Sequence, residues 1–175
     1  NVTSAINTTN NGILTLSVPS GYQTGDLLIA LLRSQAPNAT ADWYNAAFNR
    51  IGPAFLASSS NYRLNGFFIH QITGTEPRSY TFTAGVDYRL VGAMLLIRGA
   101  DPDAISFYNG YGDTITNGRG IPSYAAHDPS LVIEFAASEF AAPNNHIPTK
   151  YPDNFSAVAE VVTGGDYTTT SRTYM

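Results

Sequence analysis

The residue types that serve nucleophilic catalysis are few in this chain, and their spacing matches no catalytic motif. It has three histidines and no cysteine. A serine nucleophile needs a histidine base and an orienting acid, and no Gly-x-Ser-x-Gly turn occurs in the sequence. His70 lies among aromatic residues in a strand-like segment, whereas His127 and His146 lie in loop-like segments. We therefore expect His70 to be a packed residue of a strand face, and we expect no acyl-transfer activity.

The carboxylates do not form a recognisable glycosidase pair either. Glycoside hydrolysis uses two carboxylates that face each other across a cleft. Glu134 lies in an apolar segment, and Glu139 and Glu160 lie nearer strand ends, so the spacing selects no pair. An outward position for Glu134, or an ion pair with Arg33 or Arg98, is the simpler interpretation. We predict a non-enzymatic protein with no catalytic residue, and a glycan hydrolase remains a third hypothesis.

Metal chemistry has little support. Asp101-Pro102-Asp103, with Asp113 further on, offers loop carboxylates of the kind that bind calcium in β-sandwiches. The same Asp-Pro-Asp sequence is typical of a turn. The absence of cysteine excludes thiolate metal sites and disulfides. We predict no metal ion and no cofactor, with calcium at these aspartates as an open alternative.

Ligand binding is a more specific hypothesis than catalysis or metal binding. Sugar rings pack their C–H faces on aromatic rings, and planar polar side chains bind their hydroxyls. Two loop-like segments, 42–48 and 107–113, combine such residues. The candidate carbohydrate- or receptor-binding residues are Trp43, Tyr44, Tyr108, Asn109, Tyr111 and Asp113. The alternative is that Trp43 closes one end of the core and that the tyrosines are ordinary surface residues of a β-protein.

Composition limits the partners. Charged residues make up 13% of the chain, and the net charge is -4 with no basic cluster, which argues against nucleic acid. The apolar runs are too short for a membrane span, which needs about 20 residues. A chain of 175 residues predicts a single domain, 1–175. Because it begins with Asn1, we expect a processed chain or a fragment of a longer one.

Three continuous apolar runs predict the central strands of one core. They cover residues 27–32, 90–97 and 131–137. A short apolar run between turn signals is typical of a strand buried on both faces. Gly25-Asp26 precedes the first run, and Asp128-Pro129-Ser130 precedes the third.

Other segments alternate with period two. Residues 62–72 place Phe68, His70 and Ile72 on one face, and residues 79–83 place Tyr80 and Phe82 on one side. Further strands are expected as a pair around the turn Asn10-Asn11-Gly12 and as a second pair near the C-terminus, over 155–163 and 166–175. A short helix is one interpretation of residues 42–49, and a long loop that carries Trp43 is the other. Loops are expected over 104–120 and 138–154.

These signals predict about nine short strands and almost no helix. Many short strands separated by Gly, Pro, Asn and Asp form an all-β sandwich or barrel. We predict a single antiparallel β-sandwich that is jelly-roll-like, and a barrel remains the alternative.

The order of these segments resembles a jelly-roll-like β-sandwich domain of phage tail and virion-surface proteins, which also occurs in some bacterial surface proteins. The resemblance rests on Gly25-Asp26-Leu27-Leu28, Tyr80-Thr81-Phe82-Thr83, Arg98-Gly99 and Ser130-Leu131-Val132-Ile133, in that order, and it spans roughly residues 18–137. The chain lacks the Pro-x-Gly-Trp turn of that family.

The resemblance implies a non-enzymatic structural or adhesive protein of a virion surface, either a phage tail-fibre or receptor-binding module or a capsid decoration protein. Its expected location is extracellular, on the virion. Its expected partners are copies of itself, other virion proteins or a cell-surface glycan, without nucleic acid and without membrane insertion. The alternative is a carbohydrate-binding module of a bacterial surface or secreted protein.

Overall fold

The computed structural model describes ten ranges of the chain. These are residues 1–7, 9, 11–36, 42–51, 55–56, 62–85, 90–105, 134–141, 157–162 and 167–174. The last three ranges are strands, and the structure describes only their backbone. Residues 106–120 and 142–154, which make up most of the two expected loops, lie outside the described residues. The loop expected over 138–154 is wrong at 138–141, because a strand continues through these residues.

Within these ranges the secondary structure is almost entirely β, as predicted. The strands are β1 Val2–Asn7, β2 Ile13–Ser17, β3 Leu27–Ala36, β4 Asn49–Arg50, β5 Phe55–Leu56, β6 Tyr62–Gln71, β7 Ser79–Thr83, β8 Leu90–Ile97, β9 Glu134–Ala141, β10 Ala157–Val162 and β11 Tyr167–Tyr174. One 3₁₀ turn, Pro102–Ala104, accompanies these eleven strands.

The strands form three antiparallel sheets. A six-stranded sheet has the order β1-β8-β3-β6-β4, and β5 also pairs with β6. A two-stranded sheet joins β2 to β7, and we call it the ribbon. A three-stranded sheet has the order β10-β11-β9.

The apolar strand β3 lies at the centre of the six-stranded sheet. Leu28, Ala30 and Leu32 point to one face and are buried, and Leu27 and Leu31 on the opposite face are buried too. β8 pairs along its length, with Leu28 opposite Leu96 and Leu32 opposite Gly92. The two apolar runs 27–32 and 90–97 are therefore central neighbouring strands, as predicted.

The third apolar run lies in a different sheet, where its strand is at the edge, so the prediction that it forms a central strand is wrong for the residues that the structure describes. The strand begins at Glu134, continues to Ala141 and pairs with β11 in the three-stranded sheet. The reason lies in its sequence, because Glu134, Ser138 and Glu139 interrupt the apolar character within the strand. Residues 131–133 lie outside the described part of the chain.

The ribbon covers one face of the six-stranded sheet. Its inward side chains, including Leu14, Leu16 and Phe82, are buried against the even-numbered residues of β3 and β8. The predicted alternation of 62–72 and 79–83 is confirmed, since Phe68, Ile72 and Phe82 are buried.

Of the two interpretations of residues 42–49, the helix is wrong and the loop agrees with the structure. Tyr44 forms a β-bridge with Thr83, and β4 begins at Asn49. The Asn45 side chain accepts a hydrogen bond from the amide of Ala47 at 2.8 Å, which stabilises a turn in place of a helix. A long-range backbone pairing thus overrides the local sequence.

Trp43 is a core residue. It is 2% exposed and packs over β6 at Gly66. A Cβ atom at Gly66 would lie 2.7 Å from Cδ1 and 2.9 Å from Cγ of Trp43. The close approach of this rigid ring requires glycine, and it supports the interpretation that Trp43 closes one end of the core.

We expect Gly66→Ala to destabilise the protein by about 1–3 kcal/mol, because the added methyl overpacks a site that has no free space. Urea unfolding measures the change. Gly74→Ala is the matched control, since a Cβ atom there meets nothing within 4 Å. Equal stability of the two variants would contradict the packing of Trp43 on Gly66.

An ion pair fixes the entry to β3. The buried Asp26 accepts from Nε and Nη2 of Arg98 at 3.3 and 3.2 Å and from the amide of Gln23 at 2.9 Å. Nη2 of Arg98 also donates to the carbonyl of Gly21 at 2.8 Å. Arg98 thereby ties the loop before β3 to the end of β8, and it holds the pKa of Asp26 below its usual range.

The lowered pKa predicts a pH-dependent contribution to stability. It is fully present above the unfolded-state pKa of about 3.9 and is lost as the pH falls from there through the lower folded-state pKa. We expect Asp26→Asn to be less stable than the wild type at pH 7, with the difference shrinking in acid. Urea unfolding between pH 7 and pH 3 measures this, with Asp103→Asn on the exposed 3₁₀ turn as control. A difference independent of pH would contradict the ion pair.

Candidate functional site

The outward face of the ribbon is the most distinctive surface in the described part of the chain. Alternation buries Leu14, Leu16 and Phe82 and turns the intervening residues outward. These outward residues carry no charge, and they are Ile13, Thr15, Ser17, Ser79, Thr81 and Thr83. The ribbon therefore presents an uncharged, hydroxyl-rich surface.

One cross-strand row on this face is apolar at both ends. Thr83 lies opposite Ile13 in the ribbon, and on its other side it exchanges two backbone hydrogen bonds with Tyr44, of 2.8 and 3.0 Å. Residues directly opposite in antiparallel strands project to the same face. Ile13 is 41% exposed and Tyr44 is 65% exposed, and they are the two exposed large apolar side chains among the described residues. We call this arrangement the Ile13–Thr83–Tyr44 row.

Hydroxyl groups adjoin the row. In the next cross-strand pair, Oγ1 of Thr15 and Oγ1 of Thr81 are 3.0 Å apart and share a hydrogen bond. Hydroxyls both donate and accept hydrogen bonds. An aromatic ring beside paired hydroxyls is a surface that can take up an uncharged polar ligand.

Side chains close both edges of the ribbon. On the β2 edge, Thr3 donates to the carbonyl of Ser17 and Asn7 donates to the carbonyl of Ile13. On the β7 edge, Nδ2 of Asn45 donates to the carbonyl of Thr81 at 2.8 Å. Occupied carbonyls obstruct pairing by a foreign strand. The ribbon is therefore suited to contact a partner through its face and not through its edges.

The backbone that carries Tyr44 is held in place on the side away from the ribbon. Arg50 pairs with the Asp42 carboxylate and donates to the carbonyl of Trp43 at 2.9 Å. The guanidinium carbon lies 5.1 Å from the centre of the Phe68 ring, within the range of a cation–π contact. Buried Trp43 and this arginine fix the segment, so the Tyr44 ring is presented from a rigid support.

A polar cluster closes the opposite end of the core. His70 lies between the carboxylate of Glu76 and the carbonyl of Ala47, and Tyr80 donates a hydrogen bond to the same carboxylate. The His70 ring packs 5.2 Å from Phe48, which confirms the prediction of a packed strand residue. Burial raises the pKa of Tyr80, and the Glu76 carboxylate raises it further, so the phenol stays protonated.

The sequence-derived binding candidates have different outcomes. Tyr44 is exposed on the ribbon face, whereas Trp43 is buried and offers no free ring face to a ligand. Tyr108, Asn109, Tyr111 and Asp113 lie outside the described residues. The sequence analysis missed Ile13 and Thr83, because their place beside Tyr44 depends on a pairing register between distant segments.

The other described residues that we considered for metal binding or for an ion pair have structural contacts. Asp101 accepts a hydrogen bond from the amide of Asp103 at 2.9 Å, which is the turn chemistry expected of Asp-Pro-Asp. Within the described ranges, no three His, Cys, Asp or Glu residues come together as a metal site. Arg98, which we considered as a partner of Glu134, pairs with Asp26. None of the helical structure described is long and apolar enough to cross a membrane.

Comparison of the chain with protein-family models, with curated proteins and with solved structures gives no match.

Proposed function

We propose that this protein is a non-enzymatic structural or adhesive module of a virion surface, such as a phage tail-fibre or receptor-binding module or a capsid decoration protein. In this proposal the chain folds as a jelly-roll-like β-sandwich, functions outside the cell, and assembles with its own copies or with other virion proteins. Its outward ribbon face contacts the receptor.

The observation that carries the proposal is the Ile13–Thr83–Tyr44 row. It places an exposed aromatic ring and an exposed aliphatic side chain on one rigid, uncharged sheet face. Binding energy commonly concentrates in a few such residues, and tyrosine is enriched among them. The side-chain closure of the ribbon edges directs contact to this face.

The low charge of the chain supports the same proposal. Charged residues are about half as frequent as usual, and the outward ribbon residues are neutral. A neutral, hydroxyl-rich face has a lower desolvation cost than a charged face when a neutral partner hydrogen-bonds to its hydroxyls, because no charge has to leave water.

The second candidate function is that of a carbohydrate-binding module of a bacterial surface or secreted protein. The exposed Tyr44 ring beside the Thr15–Thr81 hydroxyl pair favours it. The ring offers a surface for sugar C–H groups, and the hydroxyls offer both donors and acceptors. In the adhesive proposal the same surface binds a glycan receptor. The two functions therefore differ in whether the chain belongs to a virion or to a bacterial surface or secreted protein.

We expect Tyr44→Ala to weaken binding to a cell-surface glycan at least about tenfold, since it removes the central aromatic contact. Tyr44→Phe retains the ring and should keep most of the affinity. The protein is screened on an array of bacterial and host-cell glycans, and the variants are titrated against the best ligand by calorimetry.

Ile13→Ala, at the other end of the row, should weaken binding less than Tyr44→Ala. Thr75→Ala in the exposed β6–β7 connection is the control and should bind as the wild type does. Unchanged affinity of Tyr44→Ala, or binding by the wild type to neither the array nor bacterial cells, would contradict the proposed binding face.

Light scattering at several concentrations separates the two functions. A subunit of a virion is expected to form a stable oligomer, because virion proteins assemble symmetrically. A carbohydrate-binding module is expected to be a monomer. A stable trimer or larger assembly favours the first proposal, and a monomer that binds glycan through Tyr44 favours the second.

A further inference from the structure

Both ring nitrogens of His70 lie within hydrogen-bond distance of an acceptor oxygen. Nδ1 is 2.9 Å from the carbonyl oxygen of Ala47. Nε2 is 3.3 Å and 3.2 Å from the two carboxylate oxygens of Glu76. A neutral imidazole carries one N–H group, so it satisfies one of these acceptors and turns a lone pair towards the other. An imidazolium satisfies both.

The hydrogen bonds around His70 and Glu76 make the Glu76 carboxylate an acceptor. Tyr80, from β7, donates its hydroxyl proton to Oε2 of Glu76, and its oxygen is 3.5 Å from Nε2 of His70. The Tyr22 hydroxyl, from the loop before β3, is occupied by the backbone of Glu76, whose amide donates to it at 3.2 Å.

The remaining nearby charge is already paired. Arg50, from β4, lies over Phe68, two residues before His70 on the same face of β6, and it is bound to Asp42. From the segment before β4, the Phe48 ring covers His70. Among the described residues, Glu76 is therefore the anionic group that contacts the imidazole.

Because the Glu76 side chain is buried, its negative charge needs a compensating positive charge. The Glu76 side chain is 4% exposed and the His70 side chain is 18% exposed. An ionised carboxylate removed from water is costly unless a positive charge and hydrogen bonds compensate it. The Tyr80 hydroxyl supplies one hydrogen bond but no charge.

We propose that His70 is an imidazolium in the folded protein and that its ion pair with Glu76 is a proton-dependent latch. The latch fastens the β6–β7 connection, residues 72–78, to the end of the core. Loss of the proton would remove the positive charge that contacts Glu76 and would turn a nitrogen lone pair towards an acceptor oxygen. The connection would then loosen as the pH rises. This inference does not depend on the binding function of the ribbon face.

Nitrogen-15 NMR of the histidine rings tests the proposal on the whole chain at pH 7. We expect both His70 nitrogens to show the chemical shifts of protonated nitrogens, with the His70→Gln variant used to assign the signals. A single protonated nitrogen in the wild type would overturn the proposal, because His70 would then be neutral.

Glu76→Gln provides the second arm of the test. Removing the negative charge should convert His70 into a singly protonated ring at pH 7. Two protonated nitrogens in a folded Glu76→Gln variant would overturn the assignment of Glu76 as the partner. If this variant does not fold, the spectrum of the wild type alone decides.

Discussion

The structure depends on one constraint, which is that β3 is apolar on both of its faces. Leu28 and Leu32 need cover on one side of the six-stranded sheet, and Leu27 and Leu31 need it on the other. An antiparallel sheet usually exposes one face to water, and this one does not at its centre. The ribbon, the connection that carries Glu76 and the segment that carries Trp43 are all placed by the need to cover the first of these faces.

The ribbon uses its two faces for different purposes. Its inward residues complete the core, and its outward residues form an uncharged surface with Tyr44 at one side. Two strands alone are marginally stable, so the ribbon depends on its packing and on the side chains of Thr3, Asn7 and Asn45 that replace neighbouring strands at its edges.

Local patterns in the sequence predicted strands well and long-range pairings poorly. The alternation around Phe68 and Phe82 and the continuous run in β3 are properties of neighbouring residues, and these strands were predicted correctly. The helical interpretation of residues 42–49 failed because Tyr44 pairs with Thr83, far along the chain. For the same reason Tyr44 was predicted as a binding residue on its type alone, whereas its row with Ile13 required the register.

Hydrogen exchange followed by NMR tests the central role of β3 most directly. If the doubly buried strand holds the structure together, the amides of Leu28–Leu32 should exchange most slowly, at the rate set by global unfolding. The hydrogen-bonded amides of the ribbon should exchange no more slowly than these. Exchange from β3 that is as fast as exchange from the edge strand β1, or a ribbon that remains protected while β3 exchanges, would contradict the account.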